Sequence, residues 1–168
     1  SNHDATLKNI NFSFERGVLL VAGPTGSGKT TLARTLVGVI PKIIKADVRG
    51  HIEINGVNPI ESPIESLIGI VSYVPQNPDL SLTSIIVEEE ILFPMSNVGV
   101  PPDEMKDRLE YVVETLGIHH LLQRPTISLS SGEKQIVSIA AALALEPLCI
   151  IMDEPLARLD PENRRLVI

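Results

Sequence analysis

Residues Gly23–Thr30 read GPTGSGKT, and the rest of the chain is best understood outward from them. The stretch follows the continuous apolar run GVLLVAG, which reads as a buried strand. It opens KTTLARTLVGVI, where Leu32, Leu36 and Val39 recur at helical spacing. A strand, a glycine-rich loop and a helix in that order are the setting in which G-x-x-x-x-G-K-[ST] cradles a phosphate. In the segment formed by Gly23, Pro24, Thr25, Gly26, Ser27 and Gly28, the inner glycines let successive amides converge on phosphate oxygens. Lys29 adds a mobile positive charge and the helix start adds its dipole. The hydroxyl of Thr30 is of the kind that coordinates magnesium, so a magnesium-bound nucleotide is expected here.

A second constellation lies far downstream. In LCIIMDE the carboxylates of Asp153 and Glu154 close an apolar run, at the C-terminal edge of a strand where open α/β sheets place ligands. Acidic strand ends are common without any function, and it is the phosphate loop that favours the chemical reading. Hydrolysis of a phosphoanhydride needs one carboxylate to hold hydrated magnesium and another to orient or deprotonate water.

Between these points the pattern changes twice. Alternation in LKNINFSFERG and HIEING predicts half-exposed antiparallel strands, the second closed at Asn55-Gly56, and IGIVSYVP predicts a buried strand stopped by Pro75. From about Thr83 to Glu146 the chain reads as helix. Pro101, Pro102 and Asp103 start one helix, Met105, Leu109, Val112 and Leu116 form its apolar stripe, and Gly117 stops it. The acidic cluster Glu88–Glu90 reads as a helix start on a solvated face. PENRRLVI reads as a helix stopping in mid-course, so the domain is expected to be truncated at its C-terminal end. The fold class expected is α/β, with a small antiparallel β part and an inserted α-helical segment.

The stretch LSSGEKQ, from Leu129 to Gln135, fits S-x-x-E: Ser130 and Glu133 would each satisfy a backbone amide at a helix start. Ile136, Ile139, Ala140 and Leu143 then make a helix that packs by one face. A plain capping box explains this stretch without a ligand, whereas company with the loop and the carboxylate pair makes the same helix start an anion site.

The 168 residues, 43% of them hydrophobic, suffice for one domain with its own core. Fourteen basic against twenty-one acidic side chains give a net charge of -7, which supplies no general positive field for nucleic acid. The single cysteine, Cys149, excludes an intramolecular disulfide and reads as a reduced interior residue. No uncharged apolar stretch has the length of a membrane span, and SNHDATLKN lacks the apolar core of a signal peptide.

Taken together, GPTGSGKTT, the glutamine of YVPQNP, LSSGEKQ, CIIMDEP and ARLD stand in the order and approximate spacing of the ATP-binding cassette ATPases, and the chain resembles that family over nearly its whole length. The resemblance implies a P-loop NTPase (RecA-like) core from residues 1–82 and 147–168, with 83–146 as the helical subdomain carrying the signature. It implies Gly23 to Thr31 as the phosphate loop, Gln76 as the magnesium and coupling glutamine, and Ser130, Ser131, Gly132 and Glu133 as the signature. Asp153 would be the magnesium carboxylate, Glu154 the catalytic base, and Asp160 the aspartate of the loop joining two active sites. VPQNPDLSL with VEEEILFPMSNVGVPPDEM is similar to the energy-coupling factor transporters, which power uptake of vitamins or of cobalt and nickel ions. The implied partners are a second cassette, identical or not, and a transmembrane component; the implied place is the cytoplasmic face of the membrane, and the cofactors are ATP and magnesium.

The sequence departs from the family pattern in three respects: the signature, the adenine-stacking residue and the switch histidine. Ser131 stands where glycine is usual and Glu133 where glutamine is common. Residues 1–6 offer only His3 for adenine stacking, and none of His3, His51, His119 or His120 stands where a switch histidine is expected. Without the C-terminal part expected to be missing, the stretch as given is expected to turn over ATP weakly or not at all. A non-transport cassette acting on DNA or the ribosome is the alternative, opposed by the acidic balance and the compact insert. A small-molecule kinase would leave LSSGEKQ without a task.

Overall fold

The structure is a computed structural model that describes residues 6–157 and residue 159. His3, Asp160 and the helix expected over PENRRLVI lie outside the described residues. The chain divides after Ile64 into two units.

In the first unit, helix α1 (Lys29–Leu36) begins where the glycine loop ends, with Gly28 at its N-cap in the left-handed conformation. A second left-handed glycine, Gly38, separates it from the short turn α2 (Val39–Lys42). The buried face is Ala33, Thr35, Val37 and Ile40, while Leu32, Leu36 and Val39 of the expected stripe are half-buried. Thr35 can turn inward because its hydroxyl donates to the Thr31 carbonyl at 2.7 Å, which satisfies the only polar group on that side chain.

The strands expected in this unit do not form among its described residues. GVLLVAG carries no ladder, and Val18 and Leu20 are 95% and 85% exposed. LKNINFSFERG is broken near both ends by positive φ, 54° at Asn9 and 105° at Gly17, which no extended strand accommodates. Of the antiparallel part only the turn is present. Asn55 and Gly56 both take positive φ, the requirement of a tight hairpin turn, and they join a single antiparallel bridge, Ile54 to Val57. An apolar or alternating run supplies one side of a ladder, and a strand exists only when a neighbour supplies the other.

The second unit follows the sequence more closely. Strand β1 (Val71–Val74) ends before Pro75, and strand β2 (Cys149–Met152) lies parallel beside it, with Val71 opposite Cys149 and Val74 opposite Met152. Three helices carry the core: α3 (Val87–Asn97), α4 (Pro102–Leu116) and α5 (Ser131–Leu143). In α4, Pro101 is the N-cap, Pro102 the first helical residue, and Asp103 and Glu104 sit in the first turn where the dipole favours them. Leu109, Val112, Val113 and Leu116 are buried, Met105 packs at the edge of the core, and Gly117 ends the helix at φ 65°. Each such side chain, fully buried, contributes about 1.5–3 kcal/mol.

Two expectations are corrected here. Helix α5 does not pack by one face: Gln135, Ile136, Val137, Ser138, Ile139 and Ala140 are all buried, because α3, α4 and β1 pack around it. A helix enclosed on several sides loses its amphipathic pattern. The acidic cluster at the start of α3 is not all solvated either. Glu90 is buried, and its Oε2 accepts the backbone amides of Thr83 at 2.7 Å and Ser84 at 2.6 Å. A buried carboxylate is sustained by such charge-assisted bonds. Burial also pushes the Cys149 thiol up from its ordinary range, in keeping with an unreactive residue.

Candidate functional site

The predicted site residues fall into three groups. The first is the loop of Gly23 to Thr31 in the first unit, which is exposed through Ser27 and runs into α1. Ser27 donates its amide to the Pro24 carbonyl at 3.2 Å, closing the turn, and Lys29 Nζ donates to the carbonyls of Gly23 at 2.9 Å and Pro24 at 3.1 Å. Gly28 is required by its φ of +96°, and a Cβ there would also stand 2.6 Å from Leu7 Cδ2, so that side chain would have to move aside. No side chain caps α1. An exposed helix start with no side-chain acceptor, a lysine beside it and the Thr30 hydroxyl one residue on form a cradle whose chemistry fits a polyphosphate with its magnesium.

The second group stands at the C-terminal ends of the parallel strands. Asp153 continues from β2, is buried, and donates its amide to the Val74 carbonyl at 2.9 Å, extending the ladder by one bond. Tyr73 Oη donates to Asp153 Oδ2 at 3.3 Å, which orients the carboxylate. Glu154 then leaves the sheet with φ 50°, unusual for a residue with a side chain, and is exposed. Gln76 Nε2 donates to Glu154 Oε2 at 2.7 Å, so residues 78 positions apart in sequence meet across the strand ends. The parallel register makes the meeting possible, because Val74 opposite Met152 brings both following loops to one edge.

The third group is the start of α5. Ser130 is the N-cap; its Oγ accepts the Glu133 amide at 3.2 Å, and Glu133 Oε2 accepts the Ser130 amide at 2.7 Å, the reciprocal capping box read from the sequence. The remaining carboxylate oxygen, Glu133 Oε1, receives Arg124 Nη1 at 2.5 Å. The Ser130 backbone amide, with help from the Ser130 hydroxyl and Arg124, holds the Glu133 carboxyl below its ordinary range against the opposing effect of burial. The Glu133 carboxylate is therefore held by the Ser130 amide within the turn and by the Arg124 guanidinium from outside it.

Sequence reasoning missed Tyr73, Glu90 and Arg124. Tyr73 follows from strand alternation once the parallel register is known, since Tyr73 pairs with Ile151 and Asp153 lies two residues on, on the same face of the sheet. Nothing local marks Arg124, which lies nine residues before its partner across two short turns.

The ABC transporter family model matches residues 7–157, which is most of the chain and includes all three groups. The chain belongs to the ABC transporter family. Members of this family are ATPases, and similar proteins are named as ATP-binding proteins of ABC transporters. An ABC transporter ATP-binding protein of Pyrococcus furiosus is 39% identical over 155 residues, covering 92% of this chain and 57% of that protein. The energy-coupling factor transporter ATP-binding protein EcfA1 of Caldanaerobacter subterraneus is 36% identical over 173 residues, covering 100% of this chain and 60% of the relative. Among solved structures, CbiO1 of Clostridium perfringens, described as part of the ABC transporter complex CbiONQ, superposes with a TM-score of 0.72 at 33% identity over 86% of this chain and 57% of that one. The chain thus spans 57–60% of the length of these curated relatives. The likeness establishes a P-loop NTPase fold of the ABC type, here with a small parallel sheet. Among the described residues no helix is long and apolar enough to cross a membrane.

Proposed function

We propose that this chain is the nucleotide-binding and hydrolysing motor part of an ABC importer of the energy-coupling factor type, in which ATP lies between two cassettes. The observation that carries the hydrolytic reading is the Gln76–Glu154 bond beside Asp153. It brings the Gln76 amide and the Glu154 carboxylate together beside the buried Asp153 carboxylate, which supports reading Glu154 as the base and Gln76 as the amide that orients it. The importer type rests on likeness to EcfA1 across the whole chain and to CbiO1.

In this reading the amides of Gly26 to Lys29 and the Lys29 ammonium bind the β- and γ-phosphates of ATP, with Thr31 closing the loop. Thr30, Gln76 and Asp153 would hold magnesium, which supplies charge neutralisation on the phosphate oxygens. Tyr73 fixes Asp153 for that task. Glu154 Oε2, steadied by Gln76 Nε2, accepts a proton from the attacking water. Ser130, Ser131, Gly132 and Glu133 receive the γ-phosphate held by the other cassette, and Asp160 joins the two sites. Residues 1–82 and 147–168 form the core and 83–146 the helical subdomain.

The same reading gives a place for the transmembrane component, with the protein at the cytoplasmic face of the membrane. Leu82, Thr83, Ile127 and Lys134 line a groove of about 240 Å³. Ile127 is 88% exposed, and the neighbouring Leu80 and Ile85 are exposed as well. Asp79, Ser84 and Thr126 complete a largely polar lining, and exposed apolar side chains beside such a groove suit a protein partner. The test of the hydrolytic reading is the full-length Glu154→Gln protein with ATP. Nucleotide binding is expected to persist while phosphate release falls by about 100-fold or more, the usual scale for removing a general base. Hydrolysis at the parent rate would remove Glu154 from its role.

A further inference from the structure

The signature turn contains a carboxylate where the proposed function brings a phosphate, and the structure shows what makes that tolerable. At the start of α5 the capping box uses the amides of Ser130 and Glu133, and the Lys134 amide bonds back to the Ser130 carbonyl at 2.9 Å. The amides of Ser131 and Gly132 are the first-turn donors left for a ligand. Their aim depends on Ser130 and Glu133 keeping hold of each other, and their field depends on the Glu133 charge being offset. Both conditions converge on Arg124.

The root of Arg124 is fixed before its side chain does anything. Its amide donates to the Leu121 carbonyl at 2.8 Å, and its carbonyl accepts the Val87 amide at 3.2 Å at the start of α3. From that anchor the guanidinium reaches Glu133 Oε1 at 2.5 Å through Nη1 and the Ser128 carbonyl at 3.2 Å through Nη2. Two donors of one planar group thus grip the helix cap and the chain leading into it, an arrangement a lysine cannot reproduce. The ion pair is partly shielded, with side-chain exposures of 39% for Arg124 and 24% for Glu133.

We propose that Arg124 is a positioning residue for the phosphate-receiving turn Ser130–Gly132: it locks Glu133 in its capping geometry and offsets its charge where the other cassette's γ-phosphate is to dock. This rests on the reading of Ser130–Glu133 as the face of a two-cassette site. Because the Arg124 carbonyl also caps α3, and Thr126 Oγ1 donates to the Ser84 carbonyl at 2.6 Å, the same short segment ties the rim of the partner groove to the signature turn.

The test uses the full-length protein carrying Glu154→Gln, in which ATP-driven dimerisation is followed by sedimentation and monomer affinity by a fluorescent ATP analogue. Adding Arg124→Gln is expected to weaken dimerisation about tenfold, the scale of a hydrogen bond to a charged group, with monomer affinity unchanged. Adding Glu133→Gln to Arg124→Gln should restore most of the loss, because a neutral cap needs no counter-charge, and Arg124→Lys should fall between. A merely structural Arg124 would not be rescued by Glu133→Gln. Dimerisation of Arg124→Gln at the parent level, or a double variant no better than Arg124→Gln, would overturn the assignment. A Ser130→Trp control separates the layers. If it dimerises normally, the two-cassette reading of the turn falls and this inference with it; if it blocks dimerisation while Arg124→Gln does not, only Arg124 is wrong.

Discussion

The two helix starts proposed above to receive phosphate are capped by opposite means. At α1 the cap is Gly28, no side-chain cap bond is made, and the Lys29 ammonium bonds carbonyls of the loop that leads into the helix. At α5 the cap is Ser130 in a reciprocal box with Glu133, and Arg124 closes the charge. The first end is left for a ligand to complete. The second is already complete and spares two amides. The difference suits the site proposed above to be shared between two cassettes: one end would grip nucleotide in the monomer, and the other would be rigid and ready but hold nothing alone.

The comparison can be broken at its strongest point first. Lys29→Ala should lower nucleotide affinity of the monomer by about 10- to 100-fold, the worth of a charged hydrogen-bonding group on phosphate, as measured by titration with a fluorescent analogue. Substitutions at the α5 start should leave that same affinity unchanged, and a loss there comparable to Lys29→Ala would erase the distinction between the two ends.

Next in size is the backbone of the first end. Gly28→Ala places a Cβ 2.6 Å from Leu7 Cδ2 at a φ of +96°, so a loss of about 1–3 kcal/mol is expected in urea unfolding. Ser130→Ala should cost about 1 kcal/mol as the loss of an N-cap, with Ser130→Gly costing only a few tenths.

The smallest effect is the pH dependence of the box. The folded Glu133 carboxyl lies below its ordinary range, held there first by the Ser130 amide. A lowered folded value means the box contributes stability above the unfolded glutamate range and loses it as pH falls through the folded value. The melting-temperature gap between parent and Glu133→Gln should therefore be widest near neutral pH and close in acid. A gap that widens on acidification would contradict the assigned direction.

What the sequence disclosed follows the same line between local and distant partners. The capping box, the Pro102-to-Gly117 helix and the stop at Pro75 were legible because each is decided within a few residues. GVLLVAG was read as a strand on its apolar run alone, yet Val18 is 95% exposed, and no run of side chains can specify the neighbour a ladder requires. Glu90 looked like one more acidic residue in a solvated cluster, and only the approach of the Thr83 and Ser84 amides makes it a buried clamp. The meeting of Gln76 with Glu154 depends on the parallel register of β1 and β2, which the order of motifs implied but no local pattern fixed.

The central claim is that the two helix starts serve one nucleotide between two cassettes. It is tested most directly by sedimentation of the full-length Glu154→Gln protein in ATP, with and without Ser130→Trp. The account predicts an ATP-dependent dimer from the first protein and a nucleotide-bound monomer from the second, with equal ATP affinity in both monomers. An ATP-dependent dimer that persists with Ser130→Trp would return the α5 start to an ordinary helix cap.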